Sequence, residues 1–456
     1  MIALVHPLVN SIFINNIPYN RFTFEEISYY QEKFTYITNH FNYHSKSGKR
    51  EKKYFNPKEI YYSIVNLSQI SIELTENCNM KCKYCAYSEL YEKQENRNKR
   101  AINFSSIEKL INGLLSNWES RKDKPITISF YGGEPLLNFE VLKQTVNYTK
   151  EITNTRQLTF NYQITTNGLL LLKYLDFLME HNFKILVSLD GNDSQNKYRV
   201  TNHNLPTFKI IFNVLKKIKK NHPFFFESNI QIASVLHNEN DIVEVQSFFM
   251  EEFNKFPLIN ALNNNGINPR KKLVFQKMYK PLTGFLTVHK EDKKTQIQIP
   301  NQRLLKIFFE EIISHTPNRI KDLFGSAKKI SMLPFRGTCV PFSIKLFLTT
   351  TGHIYPCESI CRQFPLGEIN QELSISYDNI ARIYFDLMEK YQSSKCTKCF
   401  FENYCPHCIF SINEKNISKC YHDMQKFKKT LSLILSYLEI ESIDCKNFMT
   451  KKPMFI

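Results

Sequence analysis

The sequence predicts an α/β fold: a parallel sheet with helices around it, followed by a cysteine-rich region carrying a β-hairpin and helices. Three observations carry that prediction. Between residues 69 and 253, strand-like runs alternate with helical patterns. Every motif with evident chemistry in that region falls where a strand-like run ends. Nine of the twelve cysteines lie beyond residue 338.

The strand-like runs are residues 69–74, 126–131, 160–165, 184–188 and 229–235, short and rich in apolar and β-branched residues. Helical patterns lie near 105–118, 139–152, 169–181, 207–220 and 241–253. Repeated β-then-α units imply a parallel sheet with right-handed crossovers. Such sheets bind ligands at the carboxyl ends of their strands. Ahead of this region, residues 24–35 read as an amphipathic helix and the basic run 48–53 as an exposed loop. After it, Asn263-Asn264-Asn265-Gly266 marks a turn, and 275–288 and 303–314 read as helices. Residues 343–347 and 353–355 flank Thr350-Thr351-Gly352 and read as a hairpin.

Composition narrows the class. With 456 residues, 42% hydrophobic and 14% aromatic, the chain can bury a full core and is not of the disordered type. The formal net charge of +17 suits an acidic partner, or else reflects a generally basic composition. The clusters at Lys216-Lys217-Ile-Lys219-Lys220 and Arg270-Lys271-Lys272 read as solvated faces. Residues 1–10 lack the basic n-region and cleavage site of a signal peptide, and no run reaches the length of a membrane span. Twelve cysteines in that setting argue for metal ligation in a reducing cytoplasm.

The densest chemistry is Cys78-Asn-Met-Lys-Cys82-Lys-Tyr-Cys85, directly after the first strand-like run. Three thiols that close can share one inorganic centre. A cubane iron–sulfur cluster normally takes four thiolates, so three leave one iron open. A zinc knuckle completed from elsewhere, or three buried apolar thiols, are the alternatives. At the second strand end stands Gly132-Gly133-Glu134, where missing side chains allow close approach and carbonyls plus a carboxylate suit an ammonium group; a tight βα turn is the alternative. The third end carries Thr165-Thr166-Asn167-Gly168, and the fourth Ser188-Leu189-Asp190-Gly191 followed by Arg199.

The Cys-x3-Cys-x2-Cys spacing with Tyr84 before the last cysteine resembles the cluster loop of radical S-adenosylmethionine enzymes. The Gly-Gly-Glu, Thr166-Asn167 and Ser188/Asp190/Arg199 motifs, in this order, look like that family's cofactor-binding set. In its SPASM branch Ser188 and Arg199 would contact the ribose and carboxylate. The tail pattern resembles the seven-cysteine SPASM signature: Cys339-x12-Gly352-x4-Cys357, then Cys396-x2-Cys399-x5-Cys405-x2-Cys408, then Cys420. It departs in having two residues, not three, between Cys405 and Cys408. Without the family, the clustered cysteines would also suit a zinc ribbon.

The resemblance implies a partial (β/α)6 TIM-like barrel, S-adenosylmethionine, a catalytic 4Fe–4S cluster on Cys78, Cys82 and Cys85, and two auxiliary iron–sulfur clusters. One would take Cys396, Cys399, Cys405 and Cys420. The other would take Cys339, Cys357 and Cys408 with Cys361, leaving Cys445 spare. Glu358, after Cys357, stands where some relatives place a general base; an acid in such a turn can equally be plain surface. The implied boundaries are an N-terminal extension (1–66), a barrel core (67–256), barrel-completing and bridging helices (257–330), a SPASM domain (331–425) and a helical tail (426–456). The extension would grip a leader peptide as an added strand or pack on the barrel.

The implied activity is hydrogen abstraction from a ribosomally made precursor peptide, installing a thioether or carbon–carbon crosslink. An acidic leader and a flavodoxin- or ferredoxin-type electron donor are the implied partners. Anaerobic sulfatase maturation, with formylglycine as product, shares every motif and is the alternative. An RNA-modifying or RNA-binding protein is permitted by charge but has no motif with interleaved aromatics. A non-catalytic electron carrier would need no Gly-Gly-Glu motif.

Overall fold

The computed structural model describes residues 4–6, 9–12, 54–92, 97–118, 125–156, 158–263, 266–280, 338–358, 362–391 and 408–411. The chain divides into two compact units. One comprises residues 1–54, 286–338 and 386–456; its described part includes a hairpin of β1 (Leu4–His6) and β2 (Val9–Ile12), with Leu4 opposite Ile12. The other comprises residues 55–285 and 339–385 and holds the candidate site.

This second unit opens with α1 (Pro57–Val65), started by a reciprocal cap. The Glu59 N–H donates to the Asn56 side chain, and the Asn56 N–H donates to the Glu59 carboxylate. Six parallel strands follow: β3 (Gln69–Thr75), β4 (Ile126–Gly132), β5 (Phe160–Thr166), β6 (Lys184–Ser188), β7 (Ile230–Leu236) and β8 (Leu258–Ala261). They lie side by side in chain order. Helices α2 (Phe104–Trp118), α3 (Phe139–Arg156), α4 (Leu175–Glu180), α5 (Phe208–Asn221), α6 (Pro223–Asn229) and α7 (Ile242–Phe253) fill the crossovers. This is the mixed α/β arrangement of a partial TIM-like barrel, with the parallel sheet that the repeat predicts and the barrel that the family resemblance implies.

Burial explains the elements. β3 is buried on both faces apart from Gln69, as expected of a parallel strand covered by helices. On α2 the buried set is Ile107, Leu110, Ile111, Leu114, Leu115 and Trp118, one stripe at helical spacing. Trp118 Nε1 donates to the Ile64 carbonyl at 3.1 Å, tying α2 to α1. On α5 the buried stripe is Ile211, Val214, Leu215 and Ile218. Lys216, Lys217 and Lys220 fall on its exposed face and Lys219 at the edge, and Lys216 pairs with Glu252, so this basic cluster is a solvated face.

Several boundaries differ from the sequence expectation, each for a local reason. The pattern at 169–181 becomes a 3₁₀ turn, Leu171–Tyr174, and then the short α4. No side chain caps either start, so tighter i→i+3 bonding takes over. Asn229 ends α6 rather than opening β7; its buried amide donates to the Phe183 carbonyl at 2.9 Å. Of the helix expected at 275–288, the described part is α8 (Lys272–Met278), with Tyr279 already extended; residues 281–288 lie outside the described residues. Pro281 disfavours helical backbone just before it. The short strand β8 is the sixth strand that a (β/α)6 barrel implies, although no strand-like run marks it in the sequence pattern.

Past residue 338, β9 (Leu346–Leu348) and β10 (His353–Tyr355) form the expected hairpin. β11 (Gly367–Ile369) and β12 (Leu373–Ser374) extend it, and α9 (Tyr377–Tyr391) follows. β9 also pairs in parallel with β3, Ile70 opposite Leu346, so hairpin and barrel share one ten-stranded sheet. The expected helices at 24–35 and 303–314, the basic loop 48–53, and Cys361, Cys396, Cys399, Cys405, Cys420 and Cys445 lie outside the described residues.

Candidate active site

The site begins where β3 ends. Beyond Thr75 the chain runs into the three-cysteine loop, and Gly132 and Gly133 at the end of β4 receive it. The Gly133 N–H donates to the Thr75 carbonyl at 2.7 Å, and the Glu134 N–H to the Asn77 carbonyl at 2.8 Å. A Cβ on Gly133 would sit 2.1 Å from the Asn77 oxygen; one on Gly132, whose φ is +142°, would sit 2.4 Å from the Thr75 oxygen. The absent side chains are thus used by the backbone of the cysteine loop itself.

The loop is strapped on its other side by residues 198–202. The Lys81 N–H donates to the Val200 carbonyl at 2.7 Å, the Lys83 N–H to the Tyr198 carbonyl at 3.0 Å, and Asn202 Nδ2 to the Cys78 carbonyl at 2.9 Å. Cys78, Cys82 and Cys85 are half-buried free thiols. Burial pushes all three above the usual thiol range, Cys82 to about 12, and neighbouring sulfurs add to this at Cys78 and Cys82. Cys78 Sγ accepts from the Met80 N–H at 3.4 Å and from Asn167 Nδ2 at 3.6 Å, and Cys82 Sγ from Arg199 Nη1 at 3.8 Å.

The remaining motif residues converge around this loop. Glu134 is buried, and its carboxylate accepts from the Thr166 hydroxyl at 2.8 Å, the Asn167 N–H at 2.8 Å and the Leu136 N–H at 3.1 Å. Burial pushes its carboxyl up to about 7 against those three donors. Tyr84 donates its hydroxyl to Asp190, whose other oxygen accepts from the Val235 N–H at 3.1 Å. Arg199 lies 3.8 Å from Asp190 through Nε, which also donates to the Ser188 carbonyl at 3.4 Å. The structure therefore brings Tyr84, Gly132, Gly133, Glu134, Thr166, Asn167, Ser188, Asp190 and Arg199 together with the three cysteines.

Several contributors went unread in the sequence. His237, at the end of β7, is fully buried, with Nε2 3.7 Å from Asp190, and its ring stacks on Tyr84 with centroids 5.9 Å apart. Its position just after a strand was the available signal. Glu73 on β3 is fully buried between Arg97 at 2.8 Å and Arg362 at 3.2 Å. An acid inside a strand covered on both faces was the clue there. Glu76 accepts from Arg100 Nε at 2.9 Å and Nη2 at 2.7 Å, and from the Thr350 hydroxyl at 3.0 Å.

Of the tail positions, Cys339 and Cys357 are half-buried in this unit, and Cys408 is half-buried in the other. Glu358 is neither free nor plain surface: Oε1 pairs with Lys345 at 3.0 Å, while the buried Oε2 has no hydrogen-bond partner among the described residues.

Residues 72–248 match the family model described as the radical SAM superfamily. The chain carries a radical SAM domain. It is 22% identical over 360 residues to the cysteine-type anaerobic sulfatase-maturating enzyme of Clostridium novyi, covering 75% of this chain and 87% of that enzyme. The radical SAM cyclopropyl synthase TigE of Paramaledivibacter caminithermalis is 29% identical over 192 residues, 39% of this chain and 38% of TigE. The solved structure of native anSMEcpe with bound AdoMet and Cp18Cys peptide superposes with a TM-score of 0.55 at 19% identity, covering 83% of this chain and 98% of that one.

Radical SAM enzymes use S-adenosylmethionine and a 4Fe–4S cluster, and the donor set here fits them. Among the described residues no three His, Cys, Asp or Glu side chains converge on a single-ion site. A cubane asks for something else, each thiolate taking its own iron. Three free thiols on one strapped loop, with N–H donors already on two sulfurs, meet that demand. No helix of the described residues is long and apolar enough to cross a membrane.

Proposed function

We propose that this chain is a radical SAM maturase that acts on a peptide substrate. The observation that carries this reading is the cysteine loop: three thiols at the exit of β3, clamped between the glycines of β4 and the segment 198–202. Cys78, Cys82 and Cys85 would hold the cluster. When bound there, a reduced 4Fe–4S cluster and S-adenosylmethionine supply a 5′-deoxyadenosyl radical that removes hydrogen from an unactivated carbon. The chain's own part is to bind, orient and exclude water. In this proposal Tyr84, Thr166, Asn167, Ser188, Asp190 and Arg199 line the cofactor site. Glu134 acts through Thr166 and Asn167, whose positions its carboxylate fixes. Glu358 is the proposed general base, with Lys345 orienting one oxygen and leaving the other for a proton.

Two auxiliary clusters complete the reading, on Cys339, Cys357, Cys361 and Cys408, and on Cys396, Cys399, Cys405 and Cys420. Residues 331–425 would be the SPASM domain, following the barrel core of 67–256 and bridging residues 257–330 and preceding the tail of 426–456. Residues 1–66 would hold a leader peptide, and the +17 charge suits an acidic one. A flavodoxin- or ferredoxin-type protein would deliver the electron.

Crosslink formation in a ribosomally made peptide is the product we propose, supported by the cysteine-rich tail and a 192-residue similarity to the cyclopropyl synthase TigE. Formylglycine formation is the second reading, favoured by the match along most of the Clostridium novyi enzyme. Anaerobically reconstituted protein, incubated with AdoMet, reductant and each peptide type, separates them. A hydrazide-reactive aldehyde marks the second product, and a mass loss resistant to hydrazide marks the first. Failure to form 5′-deoxyadenosine with any reductant would remove both.

A further inference from the structure

We propose that Asn167 and Arg199 set the reduction potential of the site's cluster, by donating hydrogen bonds to the sulfurs of Cys78 and Cys82. Resting on the radical SAM reading, it assigns these two side chains a task toward the sulfurs in addition to lining the cofactor site. Asn167 Nδ2 stands 3.6 Å from Cys78 Sγ and Arg199 Nη1 3.8 Å from Cys82 Sγ. Both residues are almost wholly buried, at 8% and 7% exposure.

Each donor is held from behind. The Asn167 N–H donates to Glu134 at 2.8 Å, its side-chain oxygen accepts from the Leu169 N–H at 3.0 Å, and Nδ2 also donates to Asn79 Oδ1 at 2.7 Å. Arg199 is fixed through Nε to Ser188 and Asp190, through its N–H to the Asn196 carbonyl at 2.9 Å, and through its carbonyl by the Thr207 hydroxyl at 2.8 Å. Of these anchors, Glu134, Leu169, Ser188 and Asp190 stand at or just past the ends of β4, β5 and β6, so the rim of the sheet aims both donors.

One-electron reduction adds negative charge that spreads onto the ligating sulfurs. An N–H aimed at a sulfur stabilises the reduced state more than the oxidised one, and the potential rises. Burial strengthens the effect, and a guanidinium gives more than an amide. Asp190 moderates Arg199 by sharing its charge. Asn167 and Arg199 are thus positioning residues toward the cluster.

The test is a dye-mediated redox titration of the reconstituted holoprotein followed by electron paramagnetic resonance, with dithionite as reductant. The signal that changes on adding AdoMet belongs to the cluster on Cys78, Cys82 and Cys85. Arg199→Gln is expected to make its reduction about tenfold less favourable, about 59 mV for one electron. Asn167→Ala is expected to shift it the same way by less. Lys216→Gln, which removes a charge on the outer face of α5, is the control and leaves the potential in place. Wild-type potentials in both site variants would overturn the inference while leaving the radical SAM reading standing. Absence of any AdoMet-responsive 4Fe–4S signal in the wild-type protein would overturn both.

Discussion

Arg362 reaches Glu73 across 289 residues of sequence, placing Nη1 3.2 Å from its fully buried carboxylate. Arg97 approaches the same carboxylate at 2.8 Å, and its guanidinium lies over the Tyr87 ring, 3.6 Å from the centroid. Arg362 Nη2 also donates to the Tyr87 hydroxyl at 3.3 Å. One fully buried acid thereby fixes two cations that come from distant parts of the sequence.

Removing that acid leaves two buried guanidinium groups without their counter-charge. Glu73→Ala is expected to destabilise the protein by about 3–5 kcal/mol, the usual cost of breaking a buried ion pair from one side. The urea midpoint of the purified variant measures it. An unchanged midpoint would mean the pairs contribute nothing to stability.

Gly133→Ala puts a methyl group where the Asn77 carbonyl already lies. The cysteine loop must shift to admit it, at an expected cost of about 1–3 kcal/mol. Because the displaced segment leads straight into Cys78, the variant is also expected to lose iron from the AdoMet-responsive cluster in a chelator challenge faster than wild type. Equal retention would show that the loop tolerates the displacement.

His181 supplies a pH dependence away from the chemistry. Burial, and then the Lys150 ammonium 2.8 Å from Nδ1, hold its imidazole below the usual 6.5. Below that value the unfolded chain takes up a proton that the folded chain resists. Stability from this residue is therefore present near pH 7 and declines as pH falls below about 6.5. Denaturation of wild type and His181→Gln between pH 7 and 5 should show wild type losing more stability on acidification. Parallel curves would refute the assignment.

Alanine at Cys78, Cys82 and Cys85 together is expected to abolish formation of 5′-deoxyadenosine. Iron bound in the tail would remain, so total iron should fall from about twelve per chain toward about eight if all three clusters are cubanes. Residual AdoMet cleavage in the triple variant would place the cluster elsewhere.

What was legible in the sequence was whatever depends on neighbours along the chain. The period of the apolar residues located five of the six parallel strands of the barrel and the stripes of α2 and α5. The spacing of Cys78, Cys82 and Cys85 announced an inorganic site, and the motifs after β4, β5 and β6 marked the same rim. Even some missed features were local: the Asn56–Glu59 cap of α1 and the stop before Pro281 are written in adjacent residues.

Tertiary structure alone decided what the motif residues touch. Pattern marked the paired glycines as a place of close approach, and folding shows that the Thr75 and Asn77 carbonyls make one. Pattern singled out the Glu134 carboxylate, and only the fold shows that Thr166, Asn167 and Leu136 hold it. The pairing of β3 with β9, the charge compensation of Glu73 by Arg362, and the aim of Arg199 at a sulfur all join residues more than a hundred positions apart. Periodicity reports only which face of an element is buried. Which buried polar group meets which partner is set by strand order and register, and by the cost of leaving a charge unpaired inside.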